Sequence, residues 1–298
     1  MKTKSMKTTI VRALALGATA AFPSSWRRGL LTALLTVLGL TAGNADVIFT
    51  DTFTDVTTGT LNANGWYFNN GNAGGGAWQV GSNDVLGGNV LQNPAGSAQN
   101  SRALRQFTTQ TLSVGQSLTL QVDFLLPYTG VTTQYALWLG NSPTTITSNQ
   151  FGGLFSGWGD LPSGFTGYNV WGENNDAPGT NKYYNGNQIW GAGPAMGAAT
   201  IMSATTPSLL ALTVTRVETG TEVKWSVNGT QRGSSWLDTN NPLNTFNTVS
   251  LFAPGAQPMF DNVSVSVIPE PSTSAMLALF GGAFAVWRKR VVRRRSSV

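Results

Sequence analysis

The chain has 298 residues, 41% of them apolar and only 10% charged, with a formal net charge of +5 and neither cysteine nor histidine. The missing cysteine excludes disulfides, zinc–thiolate and iron–sulfur sites, thiol nucleophiles and acylation of an N-terminal Cys. The missing histidine excludes a Ser-His-Asp triad, an imidazole base and His-ligated metals, so any catalysis rests on carboxylates, Ser/Lys pairs or oxygen-ligated cations.

The basic charge is confined to the ends. Residues 1–45 carry six bases (Lys2, Lys4, Lys7, Arg12, Arg27, Arg28) and no acid, and residues 268–298 carry six more against Glu270 alone. Residues 46–267 hold six bases and twelve acids, a net of −6. A nucleic-acid-binding body needs a basic face for phosphate contacts, and this body is acidic. The Gly, Asn, Thr and Ser content suits a β-rich extracellular domain.

In chain order, Trp26-Arg27-Arg28 precedes the apolar run GLLTALLTVLGLTA (29–42), and Gly43-Asn44-Ala45 supplies small residues before Asp46. A charged region, an apolar region and a small-residue exit make a secretory signal peptide, cut by signal peptidase between Ala45 and Asp46. A second apolar patch at 11–22 lengthens the leader, unless translation starts later than Met1.

The body reads as short alternating runs between Gly, Asn, Pro and Thr. Strands are expected at 47–53, 117–126, 135–140, 208–217, 222–228, 248–253 and 259–267. Leu118, Leu120, Val122 and Phe124 alternate with polar partners, as in a half-buried strand. Val223, Trp225 and Val227 alternate likewise before Asn228-Gly229, a pair suited to a tight hairpin turn. Residues 218–221 form a second turn. With no helical period and no internal repeat, the body is an antiparallel all-β domain.

The stretch 151–190 reads as loop-rich and carries Trp158, Tyr168, Trp171, Tyr183, Tyr184 and Trp190 among Asn, Asp and Gly. Such rings either form a sugar platform, with amides meeting hydroxyls, or pin long loops to the sandwich. Asp51 on the first strand and Asp261-Asn262 on the last become neighbours if those strands pair. Oxygen donors of that kind suit Ca²⁺, and capping of strand ends explains the same residues.

The C-terminal stretch IPEPSTSAMLALFGGAFAVWRKRVVRRR (268–295) has three parts. Pro269 and Pro271 disfavour helix and hold Glu270, Ser272 and Thr273 extended. The uncharged run 275–287 spans about 20 Å as a helix, and 273–292 spans about 30 Å if Arg288, Lys289 and Arg290 snorkel, enough for one transmembrane helix. With Arg293, Arg294 and Arg295 they form a basic stop that keeps the tail in the cytoplasm.

This order resembles the PEP-CTERM sorting signal of exported proteins in Gram-negative bacteria that make extracellular polysaccharide. The resemblance covers about the last 30 residues. It implies that Pro269-Glu270-Pro271 is read by a membrane transpeptidase, exosortase, and that the body reaches the envelope or extracellular matrix.

The body in turn resembles the concanavalin A-like, laminin-G-like jelly-roll β-sandwich. The residues that carry the resemblance are Asp51-Thr52-Phe53, the hairpin from Trp225 to Gly229, and the closing strand from Phe260 to Val263. In that fold the first and last strands meet. Glycoside hydrolases of the fold use a Glu-x-Asp-x-x-Glu strand, absent here; the nearest acids, Glu173 with Asp176 and Glu218 with Glu222, sit at turns where carboxylates are solvated. The expectation is a non-catalytic module for adhesion, matrix structure or contact with extracellular polysaccharide, with no cofactor unless a structural calcium. A carboxylate-dependent polysaccharide hydrolase or lyase is the alternative, and a plain structural coat protein a third reading.

Overall fold

A computed structural model describes residues 45–54, 65–70, 78–92, 101–126, 134–148, 150–151, 161–173, 176–184, 187–189, 203, 205–252 and 258–269. They belong to one compact unit, Ala45–Pro269. The leader through Asn44, the sorting motif from Glu270 onward and the basic tail lie outside the described residues. No helix among the described residues is long and apolar enough to cross a membrane.

The strands are, in order, β1 (Asp46–Asp51), β2 (Trp66–Asn70), β3 (Gln79–Asn83), β4 (Gly88–Gln92), β5 (Ser101–Thr111), β6 (Ser117–Leu125), β7 (Gln134–Asn141), β8 (Gln150–Phe151), β9 (Thr166–Glu173), β10 (Asp176–Tyr184), β11 (Asn187–Ile189), β12 (Ser208–Val217), β13 (Gly220–Val227), β14 (Thr230–Gln231), β15 (Trp236–Asp238), β16 (Thr245–Phe252) and β17 (Met259–Ile268). One sheet runs β14-β13-β12-β6-β17-β4-β3, with β1 on β17 and β15 on β13; the other runs β11-β10-β9-β7-β16-β5-β2-β8. Among the described residues pairing is antiparallel except between β2 and β8.

The two sheets bury one core between them because each strand's period of two aims every second side chain inward. Leu118, Leu120, Val122 and Phe124 of β6 join Leu210, Leu212 and Val214 of β12 and Val223, Trp225 and Val227 of β13. The opposite sheet supplies Tyr135, Leu137 and Leu139 of β7, Tyr168 and Val170 of β9, and Val249 and Leu251 of β16. Each fully buried large apolar side chain is worth about 1.5–3 kcal/mol, so the sandwich rests on this layer.

The expected strands are present. β12 and β13 form a hairpin in which Val217 lies opposite Gly220, so the turn is Glu218-Thr219 and strand resumes at Gly220. Asn228 and Gly229 both take positive φ, 51° and 74°, the backbone of a tight hairpin turn into β14. The Asn228 side chain also accepts a hydrogen bond from the Leu209 N–H. The first and last strands pair from Asp46 opposite Val267 to Asp51 opposite Val263.

The loop-rich reading of 151–190 is corrected: β9, β10 and β11 form consecutive ladders there. Glycine was the misleading signal. Gly140 and Gly167 are register partners on β7 and β9. A Cβ on Gly140 would collide with the Phe165 ring, and one on Gly167 would lie 2.7 Å from the Leu139 carbonyl oxygen. These glycines mark close approach inside a sheet, not a break in it.

Candidate functional site

The strands assemble two groups of polar side chains and one aromatic cluster around a buried cation. The first lies where β1, β6 and β17 adjoin. Asp51 accepts hydrogen bonds through both carboxylate oxygens, from the Phe53 N–H at 2.9 Å and the Trp66 indole N–H at 2.7 Å. Phe53 is buried with positive φ (55°), so Asp51 fixes a strained corner and seats two core rings. Asp261 lies opposite Asp123 of β6, and the register slips between Asp261 and Ser264. Asn262, at φ 48°, donates its backbone N–H to Asp261 and its amide to Asp123.

Burial pushes the Asp261 carboxyl above its ordinary range; the Asn262 N–H pulls it down, and the carboxylates of Asp123 and Asp51 push it up again. Pairing of the end strands thus brings Asp51, Asp261 and Asn262 into one region, with Asp123 added. Among the described residues no group of three or more ligating side chains is placed to hold a metal ion. The oxygens of Asp51 serve the backbone and an indole. Asp123 had no sequence signal beyond its place at an outward position of an alternating strand.

The second group ties β9 to the β15–β16 loop. The Tyr168 hydroxyl donates to Asp238 at 2.7 Å and accepts the Leu243 N–H at 2.8 Å. Thr221 donates to the Leu243 carbonyl at 2.7 Å, and Asp238 accepts the Asn240 N–H at 3.0 Å. Burial foremost raises the Tyr168 pKa; the Leu243 N–H lowers it and Asp238 raises it, so the phenol stays protonated. Tyr168 is fully buried, edge-on to Trp236 at 5.5 Å between centroids. Its expected place in an exposed sugar platform is corrected: the inward phase of β9 makes it core. In front of this network opens a cleft of about 350 Å³, lined by residues including Asn141, Thr166, Asn241, Leu243, Asn244 and Thr245.

The third group lies on the outer face of the β5–β16–β7–β9 sheet. Ala136, Trp138, Phe165 and Phe252 form a second buried cluster against which Leu161 and Trp171 pack. The guanidinium carbon of buried Arg102 lies 4.6 Å from the Trp138 ring centroid and 5.1 Å from that of Phe252. Cation–π attraction of this kind is strongest when desolvated, and it accounts for a charge held beneath two rings. Trp171 is therefore half-buried packing on the opposite side of β9 from Tyr168. Tyr183 and Tyr184 sit on β10, with Tyr183 opposite Gly167 and Tyr184 opposite Asn187. Their side chains, with Trp158 and Trp190, lie outside the described residues.

Of the acids weighed for catalysis, Glu222 is ion-paired with Lys224 on the outward side of β13. Glu218 stands in the β12–β13 turn. Glu173 and Asp176 are register partners at the mouth of the β9–β10 hairpin, their side chains outside the described residues.

No protein-family model and no curated protein matches the chain. Solved structures do. A protein of unknown function with a galectin-like fold from Bacillus subtilis is 12% identical at a TM-score of 0.46, over 76% of this chain and 99% of that one. An endo-1,3-beta-glucanase from Streptomyces sioyaensis is 14% identical at 0.47, over 75% and 96%. The metal-free carbohydrate recognition domain of Emp46p is 14% identical at 0.44, over 74% and 94%. What those proteins bind or cut is a property of theirs.

Proposed function

We propose that the chain is an exported, C-terminally sorted protein of the cell envelope or extracellular matrix, with a non-catalytic, concanavalin A-like body that contacts glycan. The observation that carries the choice of binding over turnover is the engagement of four of the described acids. Asp51, Asp123, Asp238 and Glu222 each serve a hydrogen bond or ion pair within the fold. The described cleft is lined instead by amides, hydroxyls and apolar groups, the neutral polar lining that suits a hydroxylated ligand. Export and sorting rest on the sequence of the two ends: the leader before Asp46, and Pro269-Glu270-Pro271 with its apolar run and basic stop.

Intact mass of surface-bound and released protein tests the sorting half. Wild-type material is expected to begin near Asp46 and end within about residues 269–274, with Glu270→Ala left uncut. A wild-type protein that keeps its arginine tail refutes sorting and leaves a membrane-anchored body.

A second reading has one observation in its favour. Asp176 and Glu173 are directly opposed in register, and opposed residues on antiparallel strands hold their Cβ atoms about 4.5–5.5 Å apart. Retaining glycosidases set two carboxyl groups about 5–5.5 Å apart. Release of reducing ends from polysaccharide, lost in both Glu173→Gln and Asp176→Asn, would establish a hydrolase. Binding without release keeps the module.

A further inference from the structure

The inner faces of β7 and β9 change character at one end of the sandwich. On β7 the inward row runs Tyr135, Leu137, Leu139 and then Asn141; on β9 it runs Val170, Tyr168 and then Thr166. Asn141 and Thr166 are register partners. The core-facing phase therefore continues one step beyond the apolar core, as an amide beside a hydroxyl at the mouth between the sheets. Among the described residues neither side chain makes a hydrogen bond, and both line the cleft of about 350 Å³.

The opposite wall is a loop held like a strand. Leu243 is pinned through its N–H by Tyr168 and through its carbonyl by Thr221, and the Asn244 carbonyl accepts the Leu112 N–H at 2.8 Å. Thr245 donates to the Asn244 side-chain oxygen at 3.2 Å, a bond that does not use that amide's N–H₂. Asn241 takes a left-handed turn, φ 50°, before Pro242. The wall is thus fixed before anything binds, which lowers the entropic cost of binding.

We infer that this mouth is the binding site for a neutral, polyhydroxylated ligand, the end of a glycan chain; the inference rests on the glycan-contact reading above and gives it a location. The chemistry selects the class. Among the described residues no lining side chain is charged, so none of them favours a phosphate, a carboxylate or a cation. Paired amide and hydroxyl groups offer donors and acceptors in the alternation that vicinal sugar hydroxyls present, while Pro242 and Leu243 supply apolar surface for C–H faces. The volume lies at the small end of the roughly 300–1,000 Å³ of small-molecule sites, room for a terminal unit and not for a long chain.

The test uses the full chain in a detergent without a sugar headgroup. The probes are the methyl glycosides of glucose, galactose, mannose and N-acetylglucosamine, together with dextran and laminarin. Binding is read by saturation transfer, by shifts of the Asn side-chain amides, and by affinity before and after Asn141→Leu/Thr166→Val. Expected are shifts at Asn141 and Asn244 and an affinity lowered about tenfold or more in the double variant, at unchanged Tm. Should that variant fold poorly, Thr166→Val alone, read at the Asn141 amide, decides the same point. Binding of undiminished affinity in the variant overturns the mouth as the site and leaves glycan contact standing elsewhere. Absence of binding to every probe overturns both.

Discussion

Asp238 and Asp261 are each about 5% exposed, and the fold treats them in opposite ways. Asp238 receives donors that include the Tyr168 hydroxyl and the Asn240 N–H, and its carboxylate closes a network that fixes the wall of the cleft. Asp261 receives one backbone donor and faces two further carboxylates, Asp123 and Asp51. A buried charge with donors holds structure together; one beside like charges strains it. The first setting is a built device behind a pocket. The second follows from pairing β1 with β17 and β17 with β6, each strand bringing an acid that serves its own corner.

The largest test of this contrast removes the phenol donor from Asp238. Tyr168→Phe leaves a buried carboxylate and the Leu243 N–H without their shared partner, while the ring still fills the core. Loss of a hydrogen bond to a buried charge costs about 1–3 kcal/mol or more, and the expected loss is about 3 kcal/mol by urea unfolding. Adding Asp238→Asn to Tyr168→Phe should recover part of it, because the buried charge that lost a donor is gone. A loss below about 0.5 kcal/mol, under the usual range for such a bond, would show that water replaces the phenol. The contrast between the two acids would then fail.

What the sequence shows of this arrangement depends on how local its cause is. The β12–β13 hairpin and the turn into β14 were legible because alternation, the turn expected at 218–221 and Asn228-Gly229 act over neighbouring residues. The meeting of β1 and β17 was legible only through the family resemblance, whose Asp51-x-Phe53 now has a physical reason: the carboxylate accepts the Phe53 N–H and seats Trp66. The β9 strand was hidden because glycines such as Gly167 read as loop formers within 151–190, whereas a Cβ on Gly167 would lie 2.7 Å from the Leu139 carbonyl oxygen of the paired strand. The Tyr168–Asp238 bond joins residues 70 apart in sequence, and no pattern in either neighbourhood announces it. Asn141 and Thr166 were legible in retrospect, as polar residues falling on the inward phase of two otherwise apolar rows.

The smallest effect has the opposite sign. The folded-state pKa of Asp261 is raised, chiefly by burial and then by Asp123 and Asp51, so the native protein holds this proton more tightly than the unfolded chain does. Asp261 therefore favours folding in acid, and that contribution is lost as pH rises from the ordinary carboxyl range, about 3.9, through the raised value. Asp261→Asn keeps an acceptor for the Asn262 N–H and offers an N–H₂ to the neighbouring carboxylates. It should raise Tm at pH 7 by less than Tyr168→Phe lowers it, with the gain shrinking toward zero below about pH 4 as the wild-type carboxyl becomes neutral. A variant destabilised at pH 7 would mean that the charge of Asp261 is satisfied in the fold, as that of Asp238 is. The acids at the β1–β17 seam would then count as a cooperating set, and the distinction between the two sites would collapse.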